Sequence, residues 1–359
     1  MKEGTKKFLR IGISLLIIVA SIYYAIKDID FNELLRIIFN ADYFWIILSV
    51  PVITLSHWVR AMRWKTMLEP ALKKKSASVW NLFSAVMIGY AANCVLPRGG
   101  EFLRPYVYSR REKISFTTTF ATIIVERFID VITLILLFGG VFLFLSKKVV
   151  HALPNLDPNH IIVPVAVIFA VLLLSFYPPF IKGVLKFLIK PVSNKLYDKI
   201  YITFEKFLKG FAIIRTPSQY LRLIIESVGI WFLYTVPMFL MFFSFDFQSK
   251  FHLGFDDATV LIVISGIGAT IAPTPGAIGV YHVLIQNAMV KLYGISPEEA
   301  LAYATLTHAI NYLVQVGIGG IFFFRENIKK MPPRGEFSRE LESEQIPIDN
   351  DSRESHDIT

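Results

Sequence analysis

Apolar residues fall along this chain in long blocks, with neither the alternation of a half-buried strand nor the single stripe of a surface helix. The blocks occupy roughly residues 8–26, 43–64, 79–96, 117–145, 160–180, 221–245, 258–272, 278–293 and 299–324. About 18 apolar residues in a helix cross ~30 Å of hydrocarbon, and lipid offers no partner for open backbone. The pattern therefore predicts an all-α, polytopic membrane helix bundle with about six full crossings plus two broken or re-entrant segments. No soluble domain fits between the blocks.

The first interruption is "NCVLPRGGEFLRPY", residues 93–106, which sets Arg98, Glu101 and Arg104 beside Pro97, Gly99, Gly100 and Pro105. The second is "GIGATIAPTPGAIGVYH", residues 266–282, with Pro273, Pro275, Gly276 and Gly279. Proline cannot donate a backbone hydrogen bond and glycine adopts dihedrals closed to other residues. Unwound backbone at membrane depth persists only when buried in protein or lining a wet cavity. The alternative for the second stretch is a loop outside the membrane joining two ordinary helices. Two interruptions, one in each half and opposite in the side from which they enter, are what an inverted repeat produces. In transporters such paired breaks point to a substrate site near the midplane.

Charge sharpens the topology. Of 359 residues 54% are hydrophobic and only 18% charged, and 37 Lys and Arg against 28 Asp and Glu give a net charge of +9. The basic residues lie between blocks instead of on one soluble face, so anionic lipid and the positive-inside bias account for them, and no nucleic acid partner is expected. Basic clusters at the N-terminus, in 60–75, in 181–222 and in 325–334 place both termini in the cytoplasm of a plasma-membrane protein. Residues 79–96 have basic loops on both sides. A re-entrant segment that turns at "LPRGG" keeps both inside, whereas a simple crossing puts one outside. The insertion 181–220 spaces lysines among apolar residues as an amphipathic helix on the headgroups, or alternatively as a solvated connector. Residues 1–325 form the membrane domain, and 326–359 read as a disordered acidic tail.

The chemistry sits inside the blocks. Glu126, Arg127 and Asp130 fall in the first half of 117–145, with Glu126 and Asp130 on one helical face. Each ionisable group at mid-depth costs about 2.5–3.5 kcal/mol on insertion scales, so the three should face the bundle interior and find partners. Arg98 and Arg104 are candidates for Glu126 or Asp130, and Glu101 for Arg127. Such a network is either purely structural or part of a site. Arg60 and Arg63, beside Trp58 and Trp64, read most simply as snorkelling charges at a helix end. His308, Asn311 and Gln315 share one polar face, for helix–helix hydrogen bonds or for lining a pore. Scattered histidines, a single cysteine (Cys94) and the lack of any nucleotide-binding or hydrolase motif give no enzyme, metal or cofactor signature.

Taken together, "RAMRW" (60–64), "NCVLPRGGEFLRPY" (93–106), "ERFID" (126–130) and "PTPGAIGVYH" (273–282) resemble the flippase-like transmembrane domain of lysylphosphatidylglycerol synthases, which also occurs as stand-alone proteins. The resemblance implies a protein that moves a phospholipid or lipid-linked headgroup between leaflets, with anionic lipid as its partner. It carries over Arg60, Arg63, Asn93, Pro97, Arg98, Gly100, Glu101, Arg104, Glu126, Arg127, Asp130, Pro275, Gly276 and Gly279. Ala277 replaces a second glycine of the family pattern and His282 an acid, which opens a pH-dependent role at 282. The full synthases add a soluble aminoacyl-transferase domain, so synthesis of a lysyl-lipid is not expected of this chain. The other readings are a non-transporting membrane partner of a lipid-modifying enzyme, and an intramembrane enzyme using Glu101, Glu126 or Asp130.

Overall fold

The computed structural model describes residues 3–72, 76–144, 178–191, 193–194, 197–198, 201, 216–271 and 274–326. The chain divides into a unit 1–322 and a unit 323–359. The first is described here; of the second, only 323–326 are among the described residues. The block at 160–180 (up to residue 177), most of the insertion 181–220, Lys73–Lys75, Pro273 and the tail after Glu326 lie outside them.

Every described element of regular structure is helical, and the fold is an all-α membrane helix bundle. Its helices are α1 (Glu3–Ile26), α2 (Phe31–Phe39), α3 (Tyr43–Leu68), α4 (Val79–Val95), α5 (Gly100–Glu112), α6 (Phe116–Phe144), α7 (Pro178–Leu188), α8 (Pro217–Ser244), α9 (Phe247–Lys250), α10 (Phe255–Ile271), α11 (Val280–Tyr293) and α12 (Pro297–Arg325). Among the described residues three helices, α3, α8 and α12, are long and apolar enough to cross a membrane; α1 and α2, bent by 89°, add a fourth as one broken span. That is fewer than the six crossings expected. The charges of "ERFID" interrupt α6, and 160–180 lies largely outside the described residues. Leu16 and Val19 of α1, Leu221, Ile224 and Val228 of α8, and Leu313 and Ile321 of α12 point outward uncovered, as lipid-facing side chains do.

Helices α3 and α8 form an antiparallel pair at the centre. At one end the Asp42 N–H donates to the Ser244 carbonyl (2.9 Å), and at the other the Thr66 hydroxyl donates to Glu226 (3.1 Å). Polar side chains fix where the helices begin. Asp30 and Asp42 cap α2 and α3, and Thr216 with Gln219 forms a capping box on α8.

The two interrupted segments are helical hairpins. In the first, α4 and α5 lie face to face: a Cβ on Gly100 would overlap the Gly89 carbonyl, and one on Gly89 would sit 3.0 Å from the Arg104 Cβ. Asn81, at the start of α4, donates to Glu112, at the end of α5 (2.5 Å). The hairpin therefore leaves by the end at which it enters, beside the Leu68 end of α3, where the Ala77 N–H reaches Glu69 (3.3 Å). The second hairpin, α10 and α11, is closed by the Tyr293 hydroxyl on Asp257 and enters from the opposite end, directly after α8 and α9. The turn back at "LPRGG" and the opposite entry of the two hairpins, as expected of a re-entrant, inverted pair, are thus both observed.

The tips are not built as glycine content suggests. In the first, the left-handed residue is Arg98 (φ 58°), while Gly99 is in the ordinary helical region. Gly100 is required for close packing, not for its dihedrals. In the second, Gly276 (φ 57°), Ala277 (φ 59°) and Gly279 (φ 82°) all take positive φ. A non-glycine residue there costs about 1–2 kcal/mol, so the surrounding packing must impose it.

Replacing Gly100 with Ala should cost about 1–3 kcal/mol of overpacking and lower the thermal midpoint in detergent by about 5 °C or more. Gly317→Ala meets open space and should leave the midpoint unchanged or slightly raised. Equal melting of the two variants would contradict the close approach of α4 and α5.

Candidate functional site

A charge network is buried where α3, α5, α6 and α8 meet. Glu126, 1% exposed, lies at its centre. Its Oε1 accepts from Arg60 Nε (2.7 Å) and Arg104 Nη1 (3.0 Å), and its Oε2 lies 2.9 Å from Arg104 Nη2. Arg104 thus donates one hydrogen bond to the carboxylate through Nη1, with Nη2 in ionic contact but outside hydrogen-bond geometry, and its cationic group lies 4.0 Å over the Trp64 ring. One turn on, Asp130 accepts from Arg63 (2.5 Å) and from Arg60, and Arg127 Nη1 lies 3.7 Å away. Arg127 also pairs with Glu101 (3.3 Å), so α5 and α6 are tied twice. Arg60 Nη1 completes its contacts with the hydroxyls of Tyr90 (2.9 Å) and Tyr234 (2.7 Å).

The expected pairs Arg104 with Glu126 and Glu101 with Arg127 are formed. Arg98 is placed elsewhere: Nη2 donates to the Thr270 carbonyl (2.6 Å) near the C-terminus of α10, across from its own hairpin. The simple reading of Arg60 and Arg63 as snorkelling charges is corrected. Helix α3 continues to Leu68, so both lie inside the bundle, 3% and 0% exposed. They supply most of the positive charge that holds Glu126 and Asp130. Tyr90, Tyr234 and Tyr312 were not singled out, because a tyrosine inside an apolar block looks like core until its hydroxyl partner is known.

Beside the network lies a cavity of about 670 Å³. Arg60, Asn93, Pro97, Arg98, Glu101, Arg127, Asp130 and Gly276 border it, whereas Arg63, Arg104 and Glu126 sit behind its wall. Gly99, Gly100, Pro275 and Gly279 shape the tips without bordering it. His282 also stands back, its ring 4.9 Å from that of His308.

Both tips meet at this cavity. Tyr312 donates to the Cys94 carbonyl at the end of α4 (3.1 Å), and His308 Nε2 donates to the Gly276 carbonyl (2.8 Å). One face of α12 therefore satisfies an open carbonyl in each break, as unwound backbone at membrane depth requires. Asn311 and Gln315, on the same face, border the cavity. The two uses proposed for that polar face coexist.

The profile of the "Lysylphosphatidylglycerol synthase TM region" matches residues 11–319, taking in α1, the network and both hairpins. The chain belongs to this family. It is similar to "Glycosyltransferase AglD" of Haloferax volcanii, 24% identical over 82% of this chain and 50% of the relative. It is also similar to the "UPF0104 membrane protein MJ1595" of Methanocaldococcus jannaschii, 24% identical over 88% of this chain and 94% of that protein. "UPF0104 membrane protein PH1989" of Pyrococcus horikoshii is 23% identical over 89% of this chain and 97% of that protein. The chain thus spans about half the length of the glycosyltransferase relative and nearly all of the other two. No solved structure matches it.

Removing one partner of a buried ion pair leaves an uncompensated charge and costs about 3–5 kcal/mol. Arg60→Ala should therefore give little monodisperse protein on size-exclusion chromatography. Arg60→Lys should not restore it, because one ammonium cannot bridge Glu126, Asp130 and two tyrosines at once. Arg98→Ala should elute as the parent does. A well-behaved Arg60→Ala would show that the network does not hold the bundle together.

Proposed function

We propose that this membrane protein moves an anionic phospholipid or a lipid-linked headgroup between leaflets. The observation that carries the reading is the meeting of two hairpins, entering from opposite ends, at one cavity bordered by arginine. Five guanidiniums (Arg60, Arg63, Arg98, Arg104, Arg127) face three carboxylates (Glu101, Glu126, Asp130), so the site carries surplus positive charge. Arg98 is the guanidinium held by a backbone carbonyl instead of a carboxylate, which makes it the readiest to exchange its partner for a phosphate. Exchange of this kind keeps a charge satisfied with and without substrate, and a ligand that binds the two states unequally shifts the balance between them.

The tips supply the moving parts. With Tyr312 and His308 each holding one break, release of one tip opens the cavity toward one face while the other stays closed. Lys65, Arg110, Arg111 and Lys113 lie at the end where the first hairpin enters; Asp30, Asp42, Asp256 and Asp257 lie at the other. The first end is therefore read as cytoplasmic, in the plasma membrane, with both chain termini on that side.

A second reading, favoured by the relative named a glycosyltransferase, makes this chain a non-transporting membrane partner of a sugar-transferring enzyme. A third, an intramembrane enzyme, is disfavoured because Glu101, Glu126 and Asp130, the candidate acid–base groups, are each held by arginine.

In proteoliposomes the parent protein should exchange fluorescent phosphatidylglycerol between leaflets. Arg98→Ala should reduce that rate about tenfold or more, the loss expected when one charged hydrogen bond of ~1.5–3 kcal/mol is removed. Exchange by Arg98→Ala at the parent rate, or exchange of neither phosphatidylglycerol nor a polyprenyl phosphoryl hexose by the parent protein, would sink the proposal.

A further inference from the structure

The cavity has two chemically different ends, and the difference bears on which headgroup it takes. At the network end the anionic groups bordering it are Asp130, committed to Arg60, Arg63 and Arg127, and Glu101, committed to Arg127. Among the described residues that border the cavity, a cationic headgroup such as a lysyl or ethanolamine ester would find no free carboxylate. It would instead face the surplus guanidiniums and be repelled.

Toward the tips Arg98 is joined in the lining by neutral hydrogen-bonding groups. Asn93 spends its side-chain oxygen on the Gly100 N–H (2.8 Å), which leaves its amide NH2 available. Gln315 accepts from the Cys94 thiol (3.5 Å) through its oxygen, leaving its NH2 likewise. Asn311 donates to the Thr307 carbonyl of its own helix (3.3 Å) and keeps its oxygen. Three further side chains on the cavity wall carry polar atoms with no protein partner: both ring nitrogens of His57 (2% exposed), Trp231 Nε1 (9%) and Thr274 Oγ1 (5%). A buried donor left unpaired is destabilising, and native interiors hold few of them. Here the side chains that carry them border one space, while the unpaired atoms themselves are covered by protein.

The unspent amide groups of Asn93, Asn311 and Gln315 suit a ligand that both donates and accepts along several adjacent hydroxyls. The rings of Trp231 and Tyr312 offer flat faces for its C–H edges. We infer that the site takes a phosphate ester bearing an uncharged, polyhydroxylated headgroup, and discriminates against a cationic one. The phosphate would lie toward Arg98 and Arg127 and the hydroxyls toward Asn93, Asn311 and Gln315. This inference rests on the lipid-transport reading above and narrows it. Glycerol and a hexose are two sources of the same chemistry.

The test is native mass spectrometry of the full chain in detergent, titrated with four lipids: phosphatidic acid, phosphatidylglycerol, a polyprenyl phosphoryl hexose and lysyl-phosphatidylglycerol. At least one of the two polyhydroxylated lipids should bind about tenfold more tightly than the lysyl-lipid, and the tighter of those two identifies the source. The double variant Asn311→Ala, Gln315→Ala should weaken that preferred lipid about tenfold while phosphatidic acid binds as before, which also shows that the variant is folded. Equal or tighter binding of the lysyl-lipid would overturn the inference, as would parallel weakening of phosphatidic acid. Binding of phosphatidic acid without headgroup preference sinks the inference and leaves the transport reading standing. Failure of all four lipids to bind removes both.

Discussion

The carboxylate of Glu126 is the point on which three helices converge. It is reached by Arg60 from α3 and by Arg104 from α5, while α6 supplies Glu126 itself. Charge buried so completely is stabilising only if every member is satisfied, since desolvation of each ion costs several kcal/mol. Apolar side chains in the same volume could hold the bundle as well or better. What they could not do is keep guanidiniums next to an enterable cavity. Ionisable groups kept at membrane depth point to a functional site, and here Arg63, Arg104 and Glu126 sit behind the cavity wall while Arg60, Arg98, Arg127 and Asp130 border it.

The hairpins depend on that core. Arg104 packs against Gly89 while it holds Glu126, so the ion pair and the close approach of α4 and α5 are one structural fact. Arg98, one turn and a half earlier, is turned the other way by its left-handed backbone and spans to the second hairpin at Thr270. The first tip is therefore anchored on one side and provisional on the other. On the provisional side its partners are a backbone carbonyl and the Tyr312 hydroxyl, neither of them charged. Weak, neutral contacts at the tips and strong, ionic ones behind them are the distribution expected where hairpins move against a scaffold that does not.

Much of this was legible before any coordinates. Long apolar blocks implied helices, and "LPRGG" and "PTPG" implied breaks, because Pro and Gly act locally and leave a local trace. The cost of bare charge in lipid was enough to require partners for Glu126 and Asp130. Partner identity was less legible. Arg60 and Arg63 looked terminal because the apolar block ends at 64, yet helix α3 runs to Leu68 and carries them inward. Arg98 was assigned by proximity to the carboxylates, and its positive φ, which redirects it, has no signature in residue type. Which amides and tyrosines gather at the cavity depends on how α12 crosses both tips. That is a matter of packing between elements more than 200 residues apart, as Tyr312 and Cys94 are, and no local pattern encodes it.

The two tips face each other across the cavity, and the proposed lipid transport requires them to part. Cys94 is the only cysteine of the chain, and a Cβ on Gly276 would lie 3.6 Å from the Cys94 Cα, within the reach of a disulfide. The decisive measurement is leaflet exchange by Gly276→Cys before oxidation, after it, and after reduction. The account predicts a single intramolecular disulfide to Cys94 that stops exchange, with recovery when a thiol reductant breaks it. Exchange continuing with the disulfide intact would contradict it.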